Sequence, residues 1–219
     1  MPEDIELVIF DCDGVLIDSE RLAVEVNLKV LPEYGLQLSR NEIIERYMGR
    51  SAGVVTQMIE DHLGRPLTSA ERGRSAQLFT ETYEAELAPI EGIIEALDQI
   101  DLPICVASGS SPEGLRWKLE LCGLLDRFGE DRIFSSAQVA NGKPAPDLFL
   151  FAAEQLGADP ARCIVVEDSV FGVQAARAAG MRALAYVGGM LPREALEGPD
   201  TILFDDMREL PGLISASVC

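Results

Sequence analysis

The sequence predicts an α/β protein in which helices cover both faces of a parallel β-sheet and an all-helical block is inserted after the first strand. From Pro89 onward, short apolar runs alternate with segments of helical periodicity, and this alternation is typical of parallel sheets. Between Gly14 and Ala88, by contrast, no convincing β-run interrupts the helical pattern. We therefore expect an α/β core domain of residues 1–14 and 89–219 and a helical domain of residues 15–88.

The first strand is predicted within the stretch LVIFDCDGVLIDSE, residues 7–20. Its four apolar residues, Leu7 to Phe10, are typical of a buried central strand. Asp11 and Asp13 then stand where the strand ends. Burying an unpaired carboxylate is costly, and two carboxylates at close range repel each other. The sequence therefore predicts that a positively charged group lies beside them.

The inserted block is predicted to contain four helices. Polar residues that can accept a hydrogen bond from the first helical turn precede the first and the last of them. Glycines at positions 49 and 53 separate the middle helices, and the motif Gly64-Arg65-Pro66 closes the third. The helices are expected from Asp18 or Ser19 onward, over 41–48, over 52–63, and from Thr68 or Ser69 onward.

The remainder of the chain is predicted to add five strands and four helices to the core. Ser111 and Pro112 mark the start of one helix, and Gly157 and Gly180 each follow the end of another. The strands are expected within 102–108, 132–136, 163–168, 182–187 and 201–206. The helices are expected within 93–100, 112–121, 146–156 and 170–179.

The amino-acid composition narrows the classes of partner that the chain is expected to bind. The chain has 37 acidic and 18 basic residues, a net charge of −19, which argues against nucleic acid or an anionic membrane as a partner. The N-terminus lacks the pattern of a signal peptide, and no apolar run approaches the ~20 residues that span a bilayer. Five cysteines without a CxxC pair favour a reducing, cytoplasmic location.

Several catalytic chemistries are excluded by missing residues. The single histidine, His62, is expected on a helical surface and rules out a multi-histidine zinc site. No cysteine is followed six positions later by arginine, so the thiolate phosphatase loop is absent. Gly142-Lys143 continues into Pro144 rather than the pattern of a P-loop. Carboxylates are the remaining candidates for catalysis.

Polar residues follow four of the predicted strands at the edge where α/β proteins bind ligands. Each motif alone could be a turn, a solvated loop or a helix cap. Together they predict a site with four acids and one lysine, a balance that favours bound Mg²⁺ and a phosphoryl substrate. The residues are Asp11 and Asp13 after the first strand, Ser108 and Gly109 after the second, Lys143 after the third, and Glu167 and Asp168 after the fourth.

These motifs resemble those of the haloacid dehalogenase (HAD) superfamily, in particular its aspartate-nucleophile phosphatases. The resemblance covers nearly the whole chain and includes DCDGV, VASGS, GKPAPD and VVEDSVFGVQAARAAGM. It implies the HAD fold, a Rossmann-like parallel sheet with an inserted all-helical cap. DCDGVLIDSE and PICVASGS are further similar to the β-phosphoglucomutase-like branch and its 6-phosphogluconate-type phosphatases.

The resemblance also implies a role for each site residue. Asp11 would attack phosphorus, and Asp13 would protonate the leaving alkoxide and then activate water. Ser108, Gly109 and Lys143 would bind the transferring phosphoryl group. The ion would be held by Asp11, the backbone carbonyl of Asp13, Asp168, and Glu167 directly or through water. In the cap, Arg50 falls where relatives place a substrate-reading basic residue, although a solvated surface arginine is the alternative.

Departures from the family pattern favour hydrolysis. The founding dehalogenases lack the second aspartate, which is present here as Asp13. The mutases carry a histidine on the first cap helix where this chain has Ala23, and no lysine occurs between Leu31 and Glu91. We expect a Mg²⁺-dependent phosphatase of sugar or sugar-acid phosphates that is a monomer or a weak homo-oligomer. A sugar-phosphate mutase and a non-catalytic phosphometabolite-binding protein are the alternatives.

Overall fold

A computed structural model describes residues 5–47 and 52–217. The chain divides into two units. A sheet unit holds the chain up to Asp18 and from Ala88 onward, and a helical unit holds Ser19–Leu87. Arg50, the predicted cap residue, lies outside the described residues.

The described part of the sheet unit contains a six-stranded parallel sheet with the order β3-β2-β1-β4-β5-β6. The predicted α/β class is therefore confirmed. The sheet order reverses between β1 and β4, and such a reversal forms a ligand-binding crevice in open α/β sheets. The strands are β1 (Leu7–Phe10), β2 (Ile104–Ser108), β3 (Ile133–Ser135), β4 (Cys163–Glu167), β5 (Arg182–Tyr186) and β6 (Thr201–Phe204).

Strand β1 is buried along its whole length because helices cover both faces of the sheet. Its register aligns Phe10 with Val106 of β2 and with Val166 of β4. The Asp11 N–H extends the ladder by donating to the Val166 carbonyl at 2.9 Å. The residues that follow β1 therefore lie beside the ends of β2 and β4.

Helices occupy the inserted block and most connections between strands. In the helical unit they are α1 (Ser19–Val30), α2 (Arg40–Tyr47), α3 (Ala52–Leu63) and α4 (Ser69–Glu86). In the sheet unit they are α5 (Ile93–Leu97), α6 (Pro112–Leu121), α7 (Leu125–Phe128), α8 (Asp147–Leu156), α9 (Val170–Ala178) and α10 (Leu210–Ala216). None of the described helices is both long and apolar enough to cross a membrane.

Helix ends confirm several local predictions. Thr68 caps α4, and its hydroxyl accepts the Glu71 N–H in a reciprocal capping box. Ser111 caps α6, with Pro112 as the first helical residue. Gly157, with a φ of 68°, ends α8 in the left-handed conformation that glycine adopts readily.

The boundary between the two units lies four residues later in the chain than predicted. Ile17 bridges both Asp13 and Pro89, and the Asp18 N–H donates to the Ala88 carbonyl at 2.9 Å. These backbone pairs attach residues 15–18 to the sheet unit. Two further predictions differ in detail, because α5 ends at Leu97 rather than near Ile100, and the short helices α7 and α10 were not predicted.

Candidate active site

Lys143 joins two of the predicted acids at the carboxyl edge of the sheet. Its ammonium donates to Oδ1 of Asp11 at 2.5 Å and to Oε1 of Glu167 at 2.7 Å. It also lies 4.9 Å from the ring centre of Phe149, within the range of a cation–π contact. Asp11 and Glu167 are both buried. Residues from three separate chain segments therefore meet in one ion-paired cluster.

Burial and neighbouring charges shift the pKa values of Asp11 and Lys143. Burial raises the pKa of the Asp11 carboxyl to about 7, Lys143 opposes the rise, and the carboxylates of Glu167 and Asp13 add to it. Burial lowers the pKa of Lys143, but Asp11 and Glu167 outweigh this effect and raise that pKa above its ordinary value. Lys143 is therefore held in its charged form.

Glu167 is fixed by the turn that follows β4. Its Oε2 accepts the backbone N–H groups of Asp168 and Ser169 at 2.8 and 2.7 Å. A Cβ atom added to Gly172 in the first turn of α9 would lie only 1.7 Å from Oε1 of Glu167. The absence of a side chain at residue 172 therefore makes room for this carboxylate.

Asp168 lies against the backbone of the loop that follows β1. It is buried, and a Cβ atom added to Gly14 would lie 2.0 Å from its Oδ2. Gly14 also has a φ of +85°, which L side chains rarely adopt. Gly189 approaches the same oxygen from the loop after β5, since a Cβ there would lie 3.7 Å away. Asp168 is thus cradled by glycines on two loops and lies next to the Asp11–Asp13 segment.

Asp13 has different partners, which the sequence interpretation missed. Its Oδ1 accepts from the ammonium of Lys118, and its Oδ2 accepts from the hydroxyl of Ser110 at 3.0 Å and from that of Ser108 at 3.4 Å. Lys118 also donates to the Ser110 hydroxyl at 2.8 Å. The expectation that Lys143 is the only cation among these acids is therefore wrong.

A sequence signal for Lys118 did exist. Lys118 lies three residues after Leu115 and one before Leu119, so it falls on the apolar, buried face of α6. A lysine on that face is rarely buried without a partner. Strand ends alone do not reveal this residue, because Lys118 lies within a helix.

The loop after β2 is fixed by hydrogen bonds from the loop after β3. The carbonyl of Gly109 accepts from the Ser136 hydroxyl at 3.0 Å, and the carbonyl of Ser110 accepts from the Ser135 hydroxyl at 2.5 Å. The Ser110 N–H in turn donates to the Ser108 hydroxyl at 3.1 Å. The predicted phosphate-binding residues Ser108 and Gly109 thus lie in a rigid turn beside Asp13.

The donor set fits a magnesium ion. Four carboxylates and two ammonium groups leave two negative charges when all are ionised, which one divalent cation balances. Within residues 5–47 and 52–217, no three metal-ligating side chains form a ready cluster. Mg²⁺ does not require one, because it binds through one or two carboxylates and keeps waters and substrate oxygens. The Gly14 cradle around Asp168 leaves room for such a site.

Comparisons with known proteins show the family of this chain. The chain matches the family model of haloacid dehalogenase-like hydrolases over residues 5–180. It is 30% identical over 217 residues to the 6-phosphogluconate phosphatase of Escherichia coli strain K12, and the match covers 97% of this chain and 96% of that one.

Two solved structures are similar over nearly their whole length. A conserved haloacid dehalogenase-like protein from Agrobacterium tumefaciens is 36% identical, with a TM-score of 0.82 and coverage of 97% of this chain and 98% of that chain. A HAD family hydrolase from Deinococcus radiodurans R1, with bound phosphate and sodium, is 31% identical, with a TM-score of 0.77 and coverage of 99% and 96%.

Proposed function

Because the chain belongs to the haloacid dehalogenase-like hydrolases, and within them to the phosphomonoester hydrolases, we propose that it is a Mg²⁺-dependent phosphatase of small sugar or sugar-acid phosphates that acts through a phosphorylated Asp11. The similarity to a 6-phosphogluconate phosphatase supports the substrate class. The similar Deinococcus structure, which holds bound phosphate and sodium, supports phosphate as a ligand of proteins with this fold.

One observation carries the proposal: the Lys143 ammonium lies between Asp11 and Glu167 at the carboxyl end of β1, with a second aspartate two residues after the first. A carboxylate can attack phosphorus to form an acyl phosphate. A fixed ammonium beside it can neutralise charge on the phosphoryl oxygens as they approach. Ser108 and the Gly109 turn supply further polar groups on the same edge.

The reaction would proceed in two balanced steps. An Asp11 oxygen attacks phosphorus, the bond from phosphorus to the sugar oxygen breaks, and Asp13 gives that oxygen a proton. Water then attacks the aspartyl phosphate, Asp13 takes the water proton, and inorganic phosphate leaves with the Asp11 carboxylate restored. Two carboxylates can divide these roles when their surroundings differ, and Asp11 and Asp13 have different lysine partners.

Mg²⁺ would supply positive charge that stabilises the phosphoryl oxygens in the transition state. Asp11, the backbone carbonyl of Asp13 and Asp168 would hold it. The carboxylate of Glu167 is engaged by Lys143 and by two backbone N–H groups, so it would contribute through water.

Substrate selection is proposed to lie in the helical unit, Ser19–Leu87. This unit is inserted into the chain after Asp11 and Asp13, and it adds side chains beyond those of the sheet unit. Arg50 remains the proposed substrate-reading residue, since a cation suits an anionic sugar acid.

The test is replacement of the proposed nucleophile. The variant Asp11→Asn removes the attacking carboxylate while keeping the size of the side chain. We expect phosphate release from a panel of sugar phosphates, including 6-phosphogluconate, to fall by at least about 10³-fold with Mg²⁺ present. Circular dichroism should show an unchanged fold.

The matched control is Asp126→Asn, which makes the same chemical change at an exposed aspartate in α7. It should hydrolyse at the wild-type rate. Hydrolysis by Asp11→Asn at the wild-type rate would contradict the nucleophile assignment. Absence of hydrolysis by the wild-type protein on the whole panel, together with measurable binding, would favour the phosphometabolite-binding alternative.

A further inference from the structure

Helix α6 carries a buried lysine next to the proposed acid–base residue. Lys118 is only 7% exposed. Removing an ammonium from water is costly unless it is paired and hydrogen-bonded. Lys118 meets both conditions, since it donates to the carboxylate of Asp13 and to the hydroxyl of Ser110. Lys118 can therefore be buried on the apolar face of α6 because the Asp13 carboxylate pairs with it.

The contacts fix the direction in which Asp13 points. Its two oxygens are engaged separately, Oδ1 by Lys118 and Oδ2 by the Ser110 and Ser108 hydroxyls. These donors come from the end of β2 and from α6. Asp11, by contrast, faces Lys143 from the loop after β3 and Glu167 from β4. The two carboxylates are thus held by different elements even though they are two residues apart.

The elements that hold Asp13 are themselves well anchored. Ser110 directly precedes the Ser111 cap of α6, whose hydroxyl accepts the Gly114 N–H at 3.2 Å. The Ser110 carbonyl also accepts from the Ser135 hydroxyl. A hydroxyl on this fixed turn and a lysine on the adjoining helix α6 can keep a flexible carboxylate in one orientation.

We propose that Lys118, together with Ser110, is a positioning residue that holds the Asp13 carboxyl group where it can exchange a proton with the leaving oxygen. This inference rests on the proposed function, because it assigns Lys118 a part in that reaction. Lys118 itself forms no bond to phosphorus, and the proton passes between Asp13 and the oxygen.

In the first step, the attack of Asp11 on phosphorus, the position of Asp13 matters only for leaving groups that need a proton. A sugar alkoxide leaves poorly without one, whereas 4-nitrophenolate leaves as the anion. General acid catalysis contributes about 10²- to 10⁴-fold where it is needed. Since kcat/KM reports the steps up to release of the leaving group, disturbing Asp13 should lower kcat/KM for a sugar phosphate much more than kcat/KM for 4-nitrophenyl phosphate.

The experiment measures kcat/KM for both substrates in each protein preparation. We expect Lys118→Met, which keeps length and apolar bulk, to lower kcat/KM for the sugar phosphate at least about tenfold more than kcat/KM for 4-nitrophenyl phosphate. Ser110→Ala should change the ratio in the same direction by a smaller factor. The ratio of the two kcat/KM values does not depend on the folded fraction of the preparation, so partial misfolding of a variant does not obscure the result.

Two comparisons sharpen the test. Lys29→Met removes an exposed lysine from α1 and should leave the ratio unchanged. In an Asp13→Asn background, Lys118→Met should cause no more than about a twofold further change in the ratio, since residues that act as a unit are not additive.

Equal loss on both substrates would overturn the inference, because it would mean that Lys118 supports folding or phosphate binding. An unchanged ratio in both Lys118→Met and Ser110→Ala would overturn it as well. The proposed function would survive either result. A wild-type protein that hydrolyses neither substrate would instead refute the proposed function, and the inference with it.

Discussion

At the scale of single residues, two acids that should repel each other are each given a separate counter-charge. Asp11 pairs with Lys143 and Asp13 pairs with Lys118. The pKa of Asp11 nevertheless rises to about 7, because burial outweighs the attraction of its lysine. This imbalance is the physical reason to expect a further cation beside Asp11.

Gly14 gives the first prediction, since its missing side chain makes room for Asp168. In Gly14→Ala, the new methyl group would overlap the Asp168 carboxylate, whose Oδ2 would be only 2.0 Å away. We expect activity or Mg²⁺ affinity to fall by about 10- to 100-fold, as is usual when a residue that orients a metal ligand is disturbed. A Mg²⁺ titration of phosphate release measures both.

The control separates this overlap from backbone strain. Gly123 also has a positive φ, +65°, but a Cβ atom there would meet nothing within 4 Å. Gly123→Ala should therefore lose about 1–2 kcal/mol of stability to strain and keep its Mg²⁺ response. If the two variants show the same Mg²⁺ response, the cradle around Asp168 has no role in the site.

At the scale of secondary-structure elements, α4 shows how local charge stabilises the helical unit. Glu71 closes the capping box by accepting from the Thr68 N–H at 2.8 Å, and it pairs with Arg65 at 2.8 Å. The hydrogen bonds from Arg65, and then those from Thr68, lower the pKa of Glu71 to about 2.

This shift predicts a pH dependence for the stability of the helical unit. A carboxyl with a lowered folded-state pKa stabilises the fold above its unfolded pKa of about 4.3, and the stabilisation disappears as the pH falls toward about 2. Glu71→Gln should therefore unfold at a lower denaturant concentration than wild type at pH 7, with the difference shrinking between about pH 5 and pH 2. Glu84→Gln, on an exposed position of the same helix, should show no such trend. A constant difference at all pH values would contradict the assignment.

The elements that sequence patterns predict well are those with a strong local signal. Apolar runs such as Cys163–Val166 are long enough to identify buried strands, and Ser111-Pro112 marks a helix start without reference to the rest of the fold. Helix α7 has only four residues, and α10 contains Pro211 and Gly212, so neither shows a clear helical pattern.

Only those site residues that follow the ends of strands could be predicted from the sequence. Lys143, Glu167 and Asp11 were grouped because parallel strands end at one edge of a sheet, and the structure joins them by ion pairs. Lys118 reaches the same region from within a helix, through a contact between residues 105 positions apart. Such a contact depends on how α6 packs on the sheet, which no local pattern specifies.

At the scale of the whole molecule, the chain carries a net charge of −19, and at the site two lysines offset two of the four carboxylates. Only three lysines occur in the chain, and two of them, Lys118 and Lys143, contact the proposed catalytic aspartates. A bound Mg²⁺ would balance the remaining two carboxylate charges, so that an anionic phosphate could approach the site within an acidic protein.

The last prediction concerns whether the phosphoryl group is transferred to water or back to the sugar. A mutase must hold a sugar bisphosphate while it reorients, and such a ligand needs cationic or hydrogen-bonding groups in the cap. The family resemblance places Ala23 at the position of the mutase histidine, and the chain has no lysine between Leu31 and Glu91. We therefore expect glucose 1-phosphate, if it is accepted, to yield inorganic phosphate in equal amount to the substrate consumed. Phosphorus NMR follows both products, with Asp11→Asn as the background control. Accumulation of glucose 6-phosphate would contradict this prediction, most of all if an added bisphosphate increases it. It would show that the cap holds a sugar bisphosphate without the mutase histidine and without a cap lysine.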